Sequence, residues 1–168
     1  GVADLSFIAK AKAVLLTGAS VKLVDVERER VAIDAERVWE AIGPNTRAIV
    51  PVDVNGRGAD YIALNAICQE HDLVMVCDSA EALGSQYNGR ALGSYGDAGC
   101  FSFSANKTVS CGQGGMITTD NRVGINQKEI AALFNVHYTT VGNWRRRWTA
   151  DSEHPFPLPT AKMSLWIT

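Results

Sequence analysis

What the chain lacks narrows the field before any motif is read. No two of its four cysteines (Cys68, Cys77, Cys100 and Cys111) stand in C-x-x-C spacing, so neither a zinc site nor a dithiol redox motif is supported. No run of 18 apolar residues occurs, and the N-terminus has no basic region followed by an apolar core. Neither a membrane-spanning helix nor a secretory leader is therefore expected. A large charge of one sign is missing too: the net charge is -2, which by itself points to neither nucleic acid nor a membrane. There is no internal repeat and no low-complexity tract. The cysteines fall in or beside apolar runs, as free buried thiols do in a reducing compartment, and the cytoplasm is the expected setting.

What is present suits one ordinary domain, or a domain plus a small module. The chain has 168 residues, and 46% of them are hydrophobic, enough for a packed core. Charge is unevenly spread. Residues 121–168 carry six Lys and Arg against three acids, leaving ten basic and fifteen acidic side chains in the first 120. This asymmetry suggests two parts, 1–121 and 122–168.

The first part alternates helical and strand-like segments. FIAKAKAVLLT (7–17) reads as a helix closed by Gly18, and VKLVDV (21–26) as a strand. IDAERVWEAIG reads as a helix with Asp34 as N-cap and Gly43 as its stop. RAIVPVDV (47–54) reads as a buried strand, NGRG (55–58) as a turn, and residues 60–72 as a helix. LVMVCD (73–78), CFSF (100–103) and GMITT (115–119) complete the strands. Such alternation predicts an α/β fold with a largely parallel sheet covered on both faces.

One lysine is out of place in this grammar. Lys107 lies between an apolar strand and the glycine-rich Gly112-Gln113-Gly114-Gly115 turn. In open α/β sheets ligands gather at the carboxyl ends of the strands, and Asp78 ends one of them. Taken singly, a strand-end Asp is an ordinary cap or turn residue, and a lone Lys is a surface charge. Together they are the two groups that pyridoxal phosphate requires of a protein: an amine for its aldehyde and an acid for its ring nitrogen.

The stretches FIAKAKAVLLTGAS, TRAIVPVDVNGRGAD, CDSAEALGSQYNGRALGSYGDAGCFSFSANK and GQGGMITTD resemble, in order, the DegT/DnrJ/EryC1 sugar aminotransferases. The likeness runs from about Ser6 to Asn121 and implies a partial large domain of a fold-type-I pyridoxal-phosphate enzyme. By this resemblance Lys107 carries the cofactor and shuttles a proton, and Asp78 pairs with the ring nitrogen. Glu81 stands where the family usually has Gln, near the phenolic oxygen, and is expected to be protonated or turned away. Ser102 would donate to the phosphate. Phe7 would stack on the ring or serve as a core aromatic. Lys10 and Lys12 replace the family's usual Thr and Asn, as a solvated helix face or as partial compensation near the phosphate. The glycines after Lys107 would let the backbone pass close to the cofactor. Glu81 with "SANK" looks nearest to enzymes making 4-amino-4,6-dideoxy sugars from nucleotide-linked 4-keto sugars, with glutamate as amino donor and a homodimer as the intact assembly. Family members also carry a phosphate-binding turn before the position of Val2 and a smaller domain after Asp120, so little or no transamination is expected of this chain alone.

The second part has a different character. Residues 127–147 resemble a helix-turn-helix of the phage small-terminase or excisionase type, with Asn135 at the turn. That resemblance implies DNA contacts from Thr139, Thr140, Asn143, Arg145 and Arg146; the alternative is a generic helical hairpin with a solvated basic end. A DNA-binding protein with a degenerate α/β partner is thus the competing function.

Overall fold

The computed structural model describes residues 1–3, 6, 8–120 and 163–167. Strand β1 (Val2–Ala3) runs parallel to β2 (Leu23–Val24), with helix α1 (Ala9–Leu16) between them. Helix α2 (Ala35–Ala41) starts as its sequence suggests: an Asp34 carboxylate oxygen accepts from the N–H groups of Glu36 (2.9 Å) and Arg37 (3.4 Å). Its end differs. Ile42 is already extended, and the Gly43 N–H donates to Thr46 Oγ1. Pro44 disfavours the helical region for the residue before it, so the chain leaves the helix without a left-handed glycine cap.

Strand β3 (Ala48–Ile49) is shorter than the apolar run 47–54. Pro51 has no N–H to give to a ladder, and beyond it the chain continues as single bridges, Val50 to Val2 and Val52 to Asp78. Asn55 and Gly56 then take positive φ (51° and 76°) in the expected turn. Helix α3 (Tyr61–His71) is capped by Asp60, whose Oδ1 accepts from the Ala63 N–H, and Asp72 closes it in the left-handed region. Strand β4 (Val74–Asp78) follows. A hairpin of β5 (Gln86–Tyr87) and β6 (Arg90–Ala91) was not anticipated. Its turn is Asn88-Gly89, both at positive φ, which is the strongest short-range hairpin signal a sequence carries. Strands β7 (Ala98–Ser102), β8 (Gly115–Thr119) and β9 (Met163–Ile167) complete the order.

The main sheet runs β3-β4-β7-β8-β9, parallel as far as β7 and antiparallel beyond it. Alternation along β4 and β7 defines its faces. Met75, Cys77 and Phe101 are buried on one face. Val38 of α2 and Tyr61, Leu64, Ile67 and Cys68 of α3 share a core with Met75 and Cys77 there. Val76, Asp78, Cys100 and Ser102 lie on the other face and are half-buried. Helices were expected over both faces, but α1 buries no residue and leaves Leu16 87% exposed. Among the described residues, no helix is long and apolar enough to cross a membrane. All four thiols are free. Cys68 and Cys77 are buried and Cys100 half-buried, whereas Cys111 is exposed, because the segment around it loops out between β7 and β8 instead of joining the sheet.

Candidate active site

Asp78 is the last residue of β4, and neighbouring backbone holds it from both sides. Its N–H donates to the Pro51 carbonyl and its carbonyl accepts from the Asp53 N–H, each at 2.9 Å. Register pairs Asp78 with Cys100 on β7, so the two side chains share the half-buried face. Burial pushes the Asp78 carboxyl up; the Ala80 N–H and the positive charges of Lys10 and Lys107 counter only part of that rise.

Lys107 lies just beyond β7. The buried Phe103 fixes the base of its loop: the Phe103 N–H donates to the Gly114 carbonyl (2.8 Å), and the Phe103 carbonyl accepts from the Cys111 N–H (3.1 Å). A tight turn then aims the lysine, with the Lys107 N–H donating to the Ser104 carbonyl at 3.0 Å. The glycines of this loop serve the fold. Gly112 turns the chain at φ 85° in open space, and a Cβ on Gly115 would stand 2.8 Å from the Phe101 carbonyl oxygen across the β7–β8 pair.

Lys107 Nζ donates to Glu81 Oε1 at 3.0 Å, with 15% of the lysine side chain and 43% of the glutamate side chain exposed. The second Glu81 oxygen accepts from the Asn55 N–H at 3.1 Å, presented by the left-handed Asn55. These contacts, the lysine's first, hold the Glu81 carboxyl below its ordinary range. The expectation of a protonated or averted Glu81 is thereby corrected: the side chain faces Lys107 and is ionised, because an ammonium and an amide N–H both stabilise its anion.

Asp78, Glu81 and Lys107 line one cleft of about 430 Å³ with Ser6, Val52, Val54 and Ala80. That volume falls in the range of roughly 300–1,000 Å³ typical of small-molecule sites. The acid and the amine therefore meet in one space although Asp78 belongs to β4 and Lys107 to a loop after β7. Ser102 lies on the same sheet face but does not line this cleft; its Oγ stands 3.1 Å from Ser104 Oγ. Lys10 is half-buried and Lys12 exposed. Phe7, and the Thr139, Thr140, Asn143, Arg145 and Arg146 of the tail, lie outside the described residues.

Sequence reading passed over Asp53, which looks like a lone polar residue in an apolar strand. It is fully buried, and its carboxylate accepts from Tyr61 OH (2.6 Å) and Ser79 Oγ (2.5 Å). Burial pushes its carboxyl up to about 6 against the lowering effect of both hydroxyls. Its only sequence signal is its position three residues before the glycine of the NGRG turn, near where a strand gives out.

Comparison with known proteins fits this site. The model of the DegT/DnrJ/EryC1/StrS aminotransferase family matches residues 2–156. The UDP-N-acetyl-3-dehydro-alpha-D-glucosamine 3-aminotransferase of Acidithiobacillus ferrooxidans is 43% identical over 119 residues, covering 70% of this chain and 32% of the relative. GDP-perosamine synthase of Caulobacter vibrioides is 39% identical over 120 residues, with coverages of 71% and 32%. The chain thus spans about a third of the length of these curated relatives. Among solved structures, the PLP form of the putative sugar aminotransferase Spr1654 from Streptococcus pneumoniae superposes with a TM-score of 0.70 at 26% identity, covering 86% of this chain and 40% of that one. The fold is accordingly that of a partial fold-type-I large domain, with a sheet, flanking helices and a strand-end cleft. The chain belongs to the DegT/DnrJ/EryC1/StrS aminotransferase family.

Proposed function

We propose that this chain carries the reactive centre of a pyridoxal-phosphate-dependent aminotransferase acting on a nucleotide-linked keto-sugar. The observation that carries the reading is the convergence of Asp78 and Lys107 on one cleft. The residues present fit the group: one primary amine, one largely buried acid beside two cations, and apolar walls from Val52, Val54 and Ala80. When bound, pyridoxal phosphate supplies an aldehyde for an amine and a ring that withdraws electron density from the substrate carbon.

Each residue then has a task. Lys107 Nζ would hold the cofactor and serve as the base that moves a proton at the substrate carbon. Asp78 holds a proton on the ring nitrogen, a role that its ionised form performs and that Lys10 and Lys107 favour by their charge. The apolar walls limit water at the reacting atoms. Ser102, on the same sheet face, would be the donor to the phosphate, and Phe7 would be the stacking partner of the ring. The substrate we infer is a 4-keto-6-deoxy sugar on a nucleotide, with glutamate as amino donor. This finer reading draws support from Glu81 with the SANK segment and from the relative named for GDP-perosamine. A homodimer in the cytoplasm is the accompanying expectation.

The test needs no turnover. The purified chain is mixed with pyridoxal phosphate, its visible absorbance is recorded, and borohydride is added. Mass spectrometry should find one reduced pyridoxyl group on Lys107. Lys107→Arg, which retains a cation for Glu81 and so controls for folding, should lose both the absorbance and the label. A label elsewhere, or one that persists in Lys107→Arg, would refute the assignment.

A further inference from the structure

Lys107 is the amine of the site, yet the chain holds it as half of an ion pair. Glu81 Oε1 is 3.0 Å from Lys107 Nζ. Glu81 is itself tethered, because its other oxygen accepts from the Asn55 N–H at 3.1 Å. Asn55 can make that bond only because the turn places it at φ 51°, a conformation that Asn tolerates better than most residues. A turn residue in the left-handed region and the lysine loop thus each hold one oxygen of the same carboxylate.

An ammonium has no lone pair and does not attack carbonyl carbon, so the pairing governs when the amine becomes reactive. We propose that Glu81 is an electrostatic latch on Lys107: it holds the ammonium in the cofactor-free chain and so limits how much free amine is present to react. When the amine is freed, one N–H bond of Lys107 breaks, its electron pair stays on nitrogen, and the proton passes to solvent water. Among the described residues, Asp78 at the end of β4 interacts by charge with both Lys107 and Glu81, and Lys10 on α1 acts on Asp78. Glu81 differs from both because it touches Nζ. The latch gains its role in catalysis from the proposed function, but its effect on Lys107 is measurable without any cofactor.

The experiment is competitive acetylation of the full chain with trace acetic anhydride between pH 6 and 9, read residue by residue by mass spectrometry. Lys22, whose Nζ donates to the Ala41 carbonyl far along the chain, is the internal reference. Partly exposed ion pairs change such equilibria by roughly two- to fivefold, so Glu81→Gln should raise Lys107 labelling relative to Lys22 by about that factor near neutral pH. Unchanged or slower labelling in Glu81→Gln, with circular dichroism matching the parent, would overturn the latch. If Lys107 takes up no pyridoxyl group but still responds to Glu81→Gln, the latch stands and the aminotransferase reading falls.

Discussion

Replacing Asp53 with asparagine should make the protein more stable at alkaline pH. The side chain is fully buried and accepts from two neutral hydroxyls, Tyr61 and Ser79, the Asp78 charge adds to its cost, and among the described residues it makes no ion pair. Its carboxyl is raised to about 6 from an ordinary 3.8. A carboxyl raised in the folded state binds more protons folded than unfolded between those two values. Stability contributed by this group therefore falls as pH rises from about 4 to about 6, and the whole penalty is in place above that window. A gap of about two units corresponds to about 3 kcal/mol at 1.36 kcal/mol per unit. Asn at 53 removes that penalty but can accept only on Oδ1, so one hydroxyl must instead accept from its NH₂; the rearrangement costs about 1 kcal/mol. The net expectation for Asp53→Asn is a gain of about 1–2 kcal/mol at pH 8 and none, or a small loss, at pH 4. Urea unfolding at pH 4, 6 and 8 measures this directly, and subtracting the parent curve removes the common titrations of Asp78, Glu81 and the rest. Parallel pH profiles for parent and variant, or a variant less stable at pH 8, would refute the argument.

Two further substitutions test the packing around the site. A Cβ at position 99 would stand 1.9 Å from the Gly93 carbonyl oxygen, which also accepts from Thr118 Oγ1, so Gly99→Ala must displace backbone on β7 and should cost about 3 kcal/mol or more in urea unfolding. Phe103 is 1% exposed and anchors both ends of the lysine loop; Phe103→Ala should lose about 3–5 kcal/mol and speed protease cleavage between Ser104 and Gly114. Cleavage no faster than in the parent would separate the loop from its anchor.

Local chemistry made much of this fold readable. Asp34 and Asp60 announce helix starts because a short acid before an apolar period can cap exposed amides, and both do so. GMITT became β8 without change, since its run of β-branched Ile117, Thr118 and Thr119 has no competing signal. Misreadings arose where a single residue overruled a run: Pro51 ended a strand inside an apolar stretch, and Pro44 displaced the glycine stop of α2. Asn88-Gly89 was a legible hairpin turn, but the strands on either side hold only two residues each, too few to show a period. That Asp78 and Lys107 line one cleft could be anticipated because their residue types and order resemble a family. Asp53 and the charge state of Glu81 could not, because both depend on what lies across space, a phenol, a serine and an ammonium contributed by other elements.

The two poles of the cleft are built to different tolerances. Asp78 is held through its own amide and carbonyl by Pro51 and Asp53 of the segment beyond β3. Lys107 sits in a loop closed at its base by Phe103, with its amide tied to the Ser104 carbonyl and its Nζ to Glu81. The place of the acid is thus set by backbone bonds that no side-chain replacement at 78 removes, whereas the place of the amine depends on a side-chain contact that a single substitution abolishes.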